Sequence, residues 1–303
     1  MPYDLDALLD RRRLKRRLRI WQGVTILAVV GIVLVSLHAS GELLRGDRIA
    51  RVYVEGLIVR DDARAQTLTE LAADEGVRGV VVHIDSPGGT VVGGEDLYKG
   101  LREIAEHKPV AAVMGTVATS AAYMAGVGAD RVFVREGTIT GSIGVILQSA
   151  NVVELLNKIG VEPVTIKSSE LKGVPSPVEP LTEKGREATR EVVGDLYDFF
   201  VDIVAERRDF DRDTALQLAD GRVFAGRQAL DAGLVDEIGD ERAALAWMVE
   251  TQDVPPGLPV DTVEEPAEAE TLLERLLGVS RKSLFSNALT LDGMVSLWQP
   301  AAR

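Results

Sequence analysis

Apolar and polar positions along this 303-residue chain fall into three successive patterns. The first is "IWQGVTILAVVGIVLVSL", Ile20 to Leu37, 18 residues without a charge. That is close to the length a helix needs to cross a bilayer. The second pattern, from 49 to 147, alternates short apolar runs with amphipathic ones. "IARVYVEGLI" (49–58) is rich in β-branched residues and predicts a strand. "DARAQTLTELAADEG" (62–76) predicts an amphipathic helix closed by Gly76. "VRGVVVHID" (77–85) is a continuous apolar run, as in a parallel strand covered on both faces. A helix over 94–108, a strand over 109–115, a small-residue helix beginning near Ser120 and strands at 131–134 and 143–147 complete the series. This alternation with short links predicts an α/β domain with parallel strands.

The third pattern is helical. Residues 181–210 carry many i, i+4 charge pairs and an apolar stripe through Val192, Val193, Leu196, Phe199, Phe200 and Ile203. Two short helices are expected at 213–219 and 226–232. "VPPGLPVDTVEEPAEAE" (254–270) reads as a disordered Pro- and Glu-rich linker. Residues 271–298 again place apolar residues at helical spacing, for a partner, for the membrane or as a loose tail. The expected division is a basic segment over 1–19, a transmembrane segment over 20–38, a folded body over 48–250, and a linker and tail over 251–303.

Charge sharpens the first pattern. Residues 1–19 hold seven Arg or Lys against three Asp, leaving 27 basic against 44 acidic residues in the remainder. A basic flank beside an apolar span keeps that end in the cytoplasm, so the body is expected on the extracytoplasmic side. The exit "SLHASGE" is a poor cleavage site, which favours an uncleaved anchor over a removed signal peptide. The acidic body argues against a nucleic-acid partner. With no cysteine, neither disulfides nor thiol chemistry are available.

Chemistry must come from few residues. The chain has no HExxH, no Walker loop and no G-x-S-x-G elbow, and "GGTVVGG" (88–94) lacks the spacing of a nucleotide loop. The three histidines, His38, His83 and His107, sit at an anchor end, inside an apolar strand and at a helix end, none suited to a serine triad. "GTVATSAAYMAGVGAD" (115–130) crowds Ala and Gly around Ser120, which fits either tight packing or a nucleophile pressed against backbone amides. Lysine can serve as base when burial favours its neutral form. Lys172, in the Pro/Gly-stiffened "SSELKGVPSP" (168–177), is the candidate, a solvated loop lysine being the other reading. Gly88 and Gly89 follow a buried strand, either to aim an amide at a ligand or simply to turn into a helix. An amide of Ala121 would complete an oxyanion hole with them. Ser169 to Lys172 also matches S-x-x-K and "SAN" (149–151) matches S-x-N, but their order is reversed from that of penicillin-binding enzymes and K-T-G is absent.

"IDSPGGTVVGGEDLY", "ATSAAYMAGVGADRVFVREGTITGSIGVI", "LKGVPSPVEPLTEKGRE" and "DGRVFAGRQALDAGLVDEIG" occur in the order seen in the short form of the signal peptide peptidase A family, which this chain resembles over about 48–250. The resemblance implies a membrane-anchored serine protease with a ClpP/crotonase-like core and no metal or cofactor. It implies Ser120 as nucleophile, Lys172 as general base and an oxyanion hole from the Gly88/Gly89 loop and the Ala121 amide. It also implies homo-oligomeric rings, octameric in the short form, in which Ser and Lys of one site come from neighbouring subunits, and substrates that are remnant signal peptides. Ala121-Ala122 replaces the Gly-Gly common after the nucleophile, which leaves the amides intact but puts side-chain preference in doubt. Thr140 and Ser142 are expected to line or shape the substrate groove, or simply to form a turn, and Ser169 to hydrogen-bond the Lys172 amine. Rival readings are a Ser-Lys protease acting on a specific membrane partner such as a stomatin-like protein, a non-catalytic ring scaffold, and a crotonase-type enzyme.

Overall fold

The computed structural model describes residues 15, 17–19, 21–31, 46–263 and 295–297. The chain divides into two compact units, Met1–Gly46 and Asp47–Arg303. In the first, residues 17–19 and 21–31 are helical. Among the described residues no helix is long and apolar enough to cross a membrane; Ile20 and 32–38 of the expected span lie outside them. Most of the tail segment 271–298 also lies outside them.

The second unit is built on parallel strands. Strand β1 (Arg48–Glu55) runs parallel to β2 (Val77–Ser86), and β2 to β4 (Val110–Thr119). Beyond β4 the sheet splits. Its first half (Ala111–Val113) pairs with β5 (Arg131–Val134), its second (Val117–Thr119) with β6 (Ile139–Gly141). β7 (Val223–Ala225) extends the β6 side antiparallel, β8 (Glu237–Ile238) extends β5, and β9 (Val260–Thr262) lies parallel to β1 at the far edge. Between β2 and β4 in the chain comes the short β3 (Gly88–Thr90), which pairs antiparallel with β10 (Val295–Leu297) in a sheet of its own.

The apolar run in β2 is explained by cover on both faces. Val80, Val82 and Ile84 join the larger core beneath helices α1 (Asp62–Ala73), α2 (Val91–Ala105), α3 (Ala121–Gly126) and the long α5 (Glu183–Arg208). Val81 points the other way, into a smaller cluster with Phe133 and with Ala244, Trp247 and Met248 of α8 (Glu241–Thr251). Three more short helices complete the unit: α4 (Val153–Lys158), α6 (Arg212–Leu218) and α7 (Gly226–Asp231). At the end of α5, Arg208 grips Asp236 with two guanidinium nitrogens, at 2.8 and 3.0 Å, and Asp236 in turn accepts from the Val132 amide.

Several sequence expectations shift. The helix expected over 94–108 starts at Val91, because Thr90 caps it by accepting from the Gly93 amide at 3.1 Å. No strand forms over 143–147; the strand on this side of the sheet is β6, just before it. The linker expected to be disordered is ordered as far as Val263: Val254 is buried, and β9 adds to the edge of β1. Backbone pairing outweighs a Pro-rich composition there. Helices α4 and α8 were not foreseen.

Candidate active site

The turn carrying Ser120 is made by a fault in the sheet. Between the pairs Ile84–Met114 and Ser86–Ala118, β4 gains two residues on β2. Asp85 fills the resulting bulge, its two carboxylate oxygens accepting from the amides of Thr116 and Val117 at 3.1 Å each. A bulge of this kind bends a strand and re-aims the residues beyond it. Here it lets β4 exchange β5 for β6 as neighbour and delivers Ser120 to the carboxyl end of the sheet. Ser120 has φ 60° and ψ −122°, an uncommon conformation for a residue with a side chain. Its amide donates to Gly141 O at 2.8 Å, and its carbonyl accepts from Met124 to start α3. A sharp strand-to-helix turn also carries the nucleophile of the α/β-hydrolase fold, there with the sequence G-x-S-x-G, which is absent here. Small neighbours make it possible: Ala118, Ala121 and Ala122 are wholly buried, and Gly94 of α2 lies against Ala121 where a methyl group would come within about 3.0 Å.

The glycine loop is tied to the same corner. The Thr119 hydroxyl donates to Pro87 O at 3.0 Å. The buried Ser86 hydroxyl accepts from the Gly88 amide at 3.0 Å. Gly88 is therefore an organiser, at φ 108°, and its amide already has a partner. Gly88 O and the Thr90 amide are bonded to Ile58, at 2.9 and 2.8 Å. By strand alternation the amide and carbonyl of Gly89 face the opposite edge, the one β10 follows with Ser296 opposite Gly89. Of the two glycines, Gly89 is the one whose N–H points away from Ile58, to the edge that β10 follows. A side chain at Gly89 would collide with the carbonyl of Ile58. Neither Asp85 nor Ser86 stood out in the sequence, since a lone Asp and Ser at a strand end carry no pattern.

The remaining candidates separate. Thr140 does not line a groove: it is fully buried, and its hydroxyl donates to Ala118 O at 2.7 Å, supporting the β4–β6 pair from behind. Ser142, at φ 50°, borders a cavity of about 750 Å³ together with Ile143, Val145, Ile146, Tyr197 and Asp220. Lys172 lies in an exposed turn, its amide donating to Ser169 O at 3.2 Å. Among the described residues its amine makes no hydrogen bond or ion pair, the Ser169 hydroxyl included.

Other bases are excluded by position. Burial pushes the Lys108 amine down, but it is engaged by the carbonyls of Leu71 and Asp74, at the opposite end of β4 from Ser120. His83 shares a hydrogen bond with Glu241 and stacks on Tyr53, on the sheet face away from α3. Burial pushes the Tyr123 phenol well up, and its hydroxyl donates to Leu234 O. Among the described residues no cluster of His, Cys, Asp or Glu could hold a metal ion.

Fold and site together place a buried serine on a strained strand-to-helix turn at the carboxyl end of a parallel sheet. Residues 102–255 match the model of peptidase family S49, and the chain belongs to that family. It is 33% identical over 250 residues, 76% of this chain and 80% of the relative, to "Putative protease MJ0651" of Methanocaldococcus jannaschii. It is 37% identical over 179 residues, 59% of this chain and 52% of the relative, to "Putative signal peptide peptidase SppA" of Enterococcus faecium. The solved structure of a ClpP1 point mutant from Listeria monocytogenes aligns with 64% of this chain and 92% of its own at 18% identity, with a TM-score of 0.43. The family and its protease-named members make this chain a serine protease.

Proposed function

We propose that this chain is a membrane-anchored Ser-Lys endopeptidase with a ClpP/crotonase-like core that degrades remnant signal peptides and other hydrophobic peptides. The observation that carries the reading is Ser120, held at positive φ on a turn tied through Thr119 to the Gly88–Gly89 loop. A peptide taking the place of β10 along the edge of β3 would bring its carbonyl between the Ser120 hydroxyl and the amides of Gly89 and Ala121. Neutral Lys172 takes the Ser120 proton, and the alkoxide attacks the carbonyl carbon. The two amides stabilise the tetrahedral oxyanion. Lys172 then protonates the leaving amine, and water hydrolyses the acyl-enzyme.

In this reading the lysine is supplied by a neighbouring subunit of a homo-oligomeric ring, an octamer in the form it resembles. Two features support it. Lys172 is exposed, and its amine makes no hydrogen bond or ion pair among the described residues of its own chain. The arm that carries it also exposes Leu155, Ile159, Val161, Val164 and Ile166, apolar side chains that a ring contact would cover. Anchoring by 20–38 would hold the site at the extracytoplasmic membrane face, where such peptides are left.

The test is hydrolysis of a hydrophobic reporter peptide against pH by the full chain, beside Ser120→Ala and Lys172→Ala, with fluorophosphonate labelling of each. Both variants at background, with wild type labelled, is the expected result. Full activity in Lys172→Ala would place the base elsewhere. An assembled wild type that neither labels nor cleaves would favour the non-catalytic scaffold.

A further inference from the structure

From residue 146 to residue 184 no side chain is buried, and helix α4 within this arm contributes none to any core. Ordering backbone costs about 1–2 kcal/mol per residue, normally offset by apolar burial. The arm lacks that burial, yet the reading of Lys172 as general base requires its amine to reach one place. Within one chain, polar contacts are what hold it.

The polar contacts converge on two residues. The Lys167 amine donates to Glu179, 12 residues further on, and Lys172 stands near the middle of the span they close. Their side chains are 18% and 28% exposed, against 67% and 80% for the neighbouring Lys184–Glu170 pair. Exposed pairs contribute little, so the sheltered one carries more of the restraint. Glu179 is fixed at its backbone as well, its carbonyl accepting from Asn151 Nδ2 at 3.3 Å beside the Val152 amide to Pro177 O bond of 2.8 Å. On the far side of Lys172, Val174 presses against Gly185 of α5 where any side chain would clash. The Lys167 ammonium, helped by Thr165, holds the Glu179 carboxyl below its usual range, so it is charged at neutral pH.

We propose that Lys167 and Glu179 are positioning residues that clasp the 167–179 loop shut and so fix the reach of Lys172; this rests on the reading of Lys172 as the general base. The clasp also explains why Lys167 is not itself the base: its amine is already engaged by the Glu179 carboxylate. The turn at Lys172, held at both ends, is then a semi-rigid finger in an arm without a core.

The experiment compares Lys167→Ala, Glu179→Ala, Lys167→Arg and the exchanged pair Lys167→Glu with Glu179→Lys, all in the full chain. It measures kcat and KM on the reporter peptide, the rate of fluorophosphonate labelling, and assembly by light scattering. The alanine variants should lose kcat on the order of 10- to 100-fold, as for a misplaced catalytic group. KM and assembly should change by less than about twofold. Lys167→Arg and the exchanged pair should recover most of kcat. Arginine cannot act as a base, so its rescue separates a clasp from a catalytic Lys167. Alanine variants with wild-type kcat, a loss confined to KM, or Lys167→Arg as inactive as Lys167→Ala would each overturn the proposal. Should an alanine variant fail to assemble, the exchanged pair decides: recovered kcat supports the clasp, and assembly without recovery overturns it. Lys172→Ala run alongside separates the two readings. If it is inactive while the clasp variants are unaffected, only the clasp fails; if it is fully active, both do.

Discussion

The two regions that the Ser-Lys proposal joins in one reaction are built in opposite ways. The corner around Ser120 is packed throughout: Ser120 and every residue of α3 are buried, and the glycine loop is bound to Ser86, Thr119 and Ile58. The arm around Lys172 has no fully buried side chain and is restrained by the Lys167–Glu179 pair, a few backbone bonds and the contact of Val174 with Gly185. A strained nucleophile persists only where surrounding structure over-determines it, at a cost of about 1–3 kcal/mol. A base delivered to a neighbour needs reach and an exposed tip. The contrast is what a site shared between subunits would require.

The largest expected break is at the packed corner. Ser120→Ala should lower kcat on the order of 10⁴-fold or more while leaving the thermal midpoint nearly unchanged, checked by peptide hydrolysis beside calorimetry. Gly89→Ala comes next. Its methyl group collides with Ile58, so the amide moves and kcat should fall roughly 10²–10³-fold, as when an oxyanion donor is lost. Wild-type kcat in that variant would remove Gly89 from the oxyanion hole.

On the arm the effect should depend on concentration. Ile166 is 96% exposed, so Ile166→Asp should change the stability of the single chain by less than about 0.5 kcal/mol. In the ring reading it should nonetheless dissociate subunits and lose activity on dilution. Activity indifferent to dilution, with assembly intact, would show that this apolar face is not a subunit contact. Because β10 runs along the edge of β3, deleting the residues after Val263 should raise kcat/KM several-fold by freeing that edge. An unchanged rate would mean the tail does not compete with substrate. The smallest effect is at the bulge: Asp85→Ala leaves two exposed amide bonds unmade and should cost about 1 kcal/mol, with a modest fall in kcat, read by denaturant unfolding.

Much of the corner was legible because its signals are local. A continuous apolar run, an S-P-G-G turn and a serine among alanines each reflect one backbone neighbourhood, and the strands at 77–86 and 131–134 fall where the pattern put them. What escaped depends on pairing across distance. The strand expected over 143–147 lost to 139–141 because the split in β4 leaves an edge for the earlier segment. Whether Thr140 lines the groove or supports it from behind was open because a short polar residue in a strand points inward or outward according to register, which no single strand reveals. The Pro-rich stretch near 260 became a strand because β1 had a free edge for it.

The sequence by itself determined the alternating strands and helices from 49 to 134, the glycines that backbone contact demands, and the candidates Ser120 and Lys172, because periodicity and backbone sterics act over a few residues. Only the tertiary structure decided that Asp85 plugs the bulge aiming Ser120, that Ser86 takes the Gly88 amide and leaves Gly89, and that the Lys172 amine makes no hydrogen bond or ion pair among the described residues. Each depends on groups brought together by sheet register and turn geometry, and a carboxylate or an amide has no preference for its partner until the fold presents one.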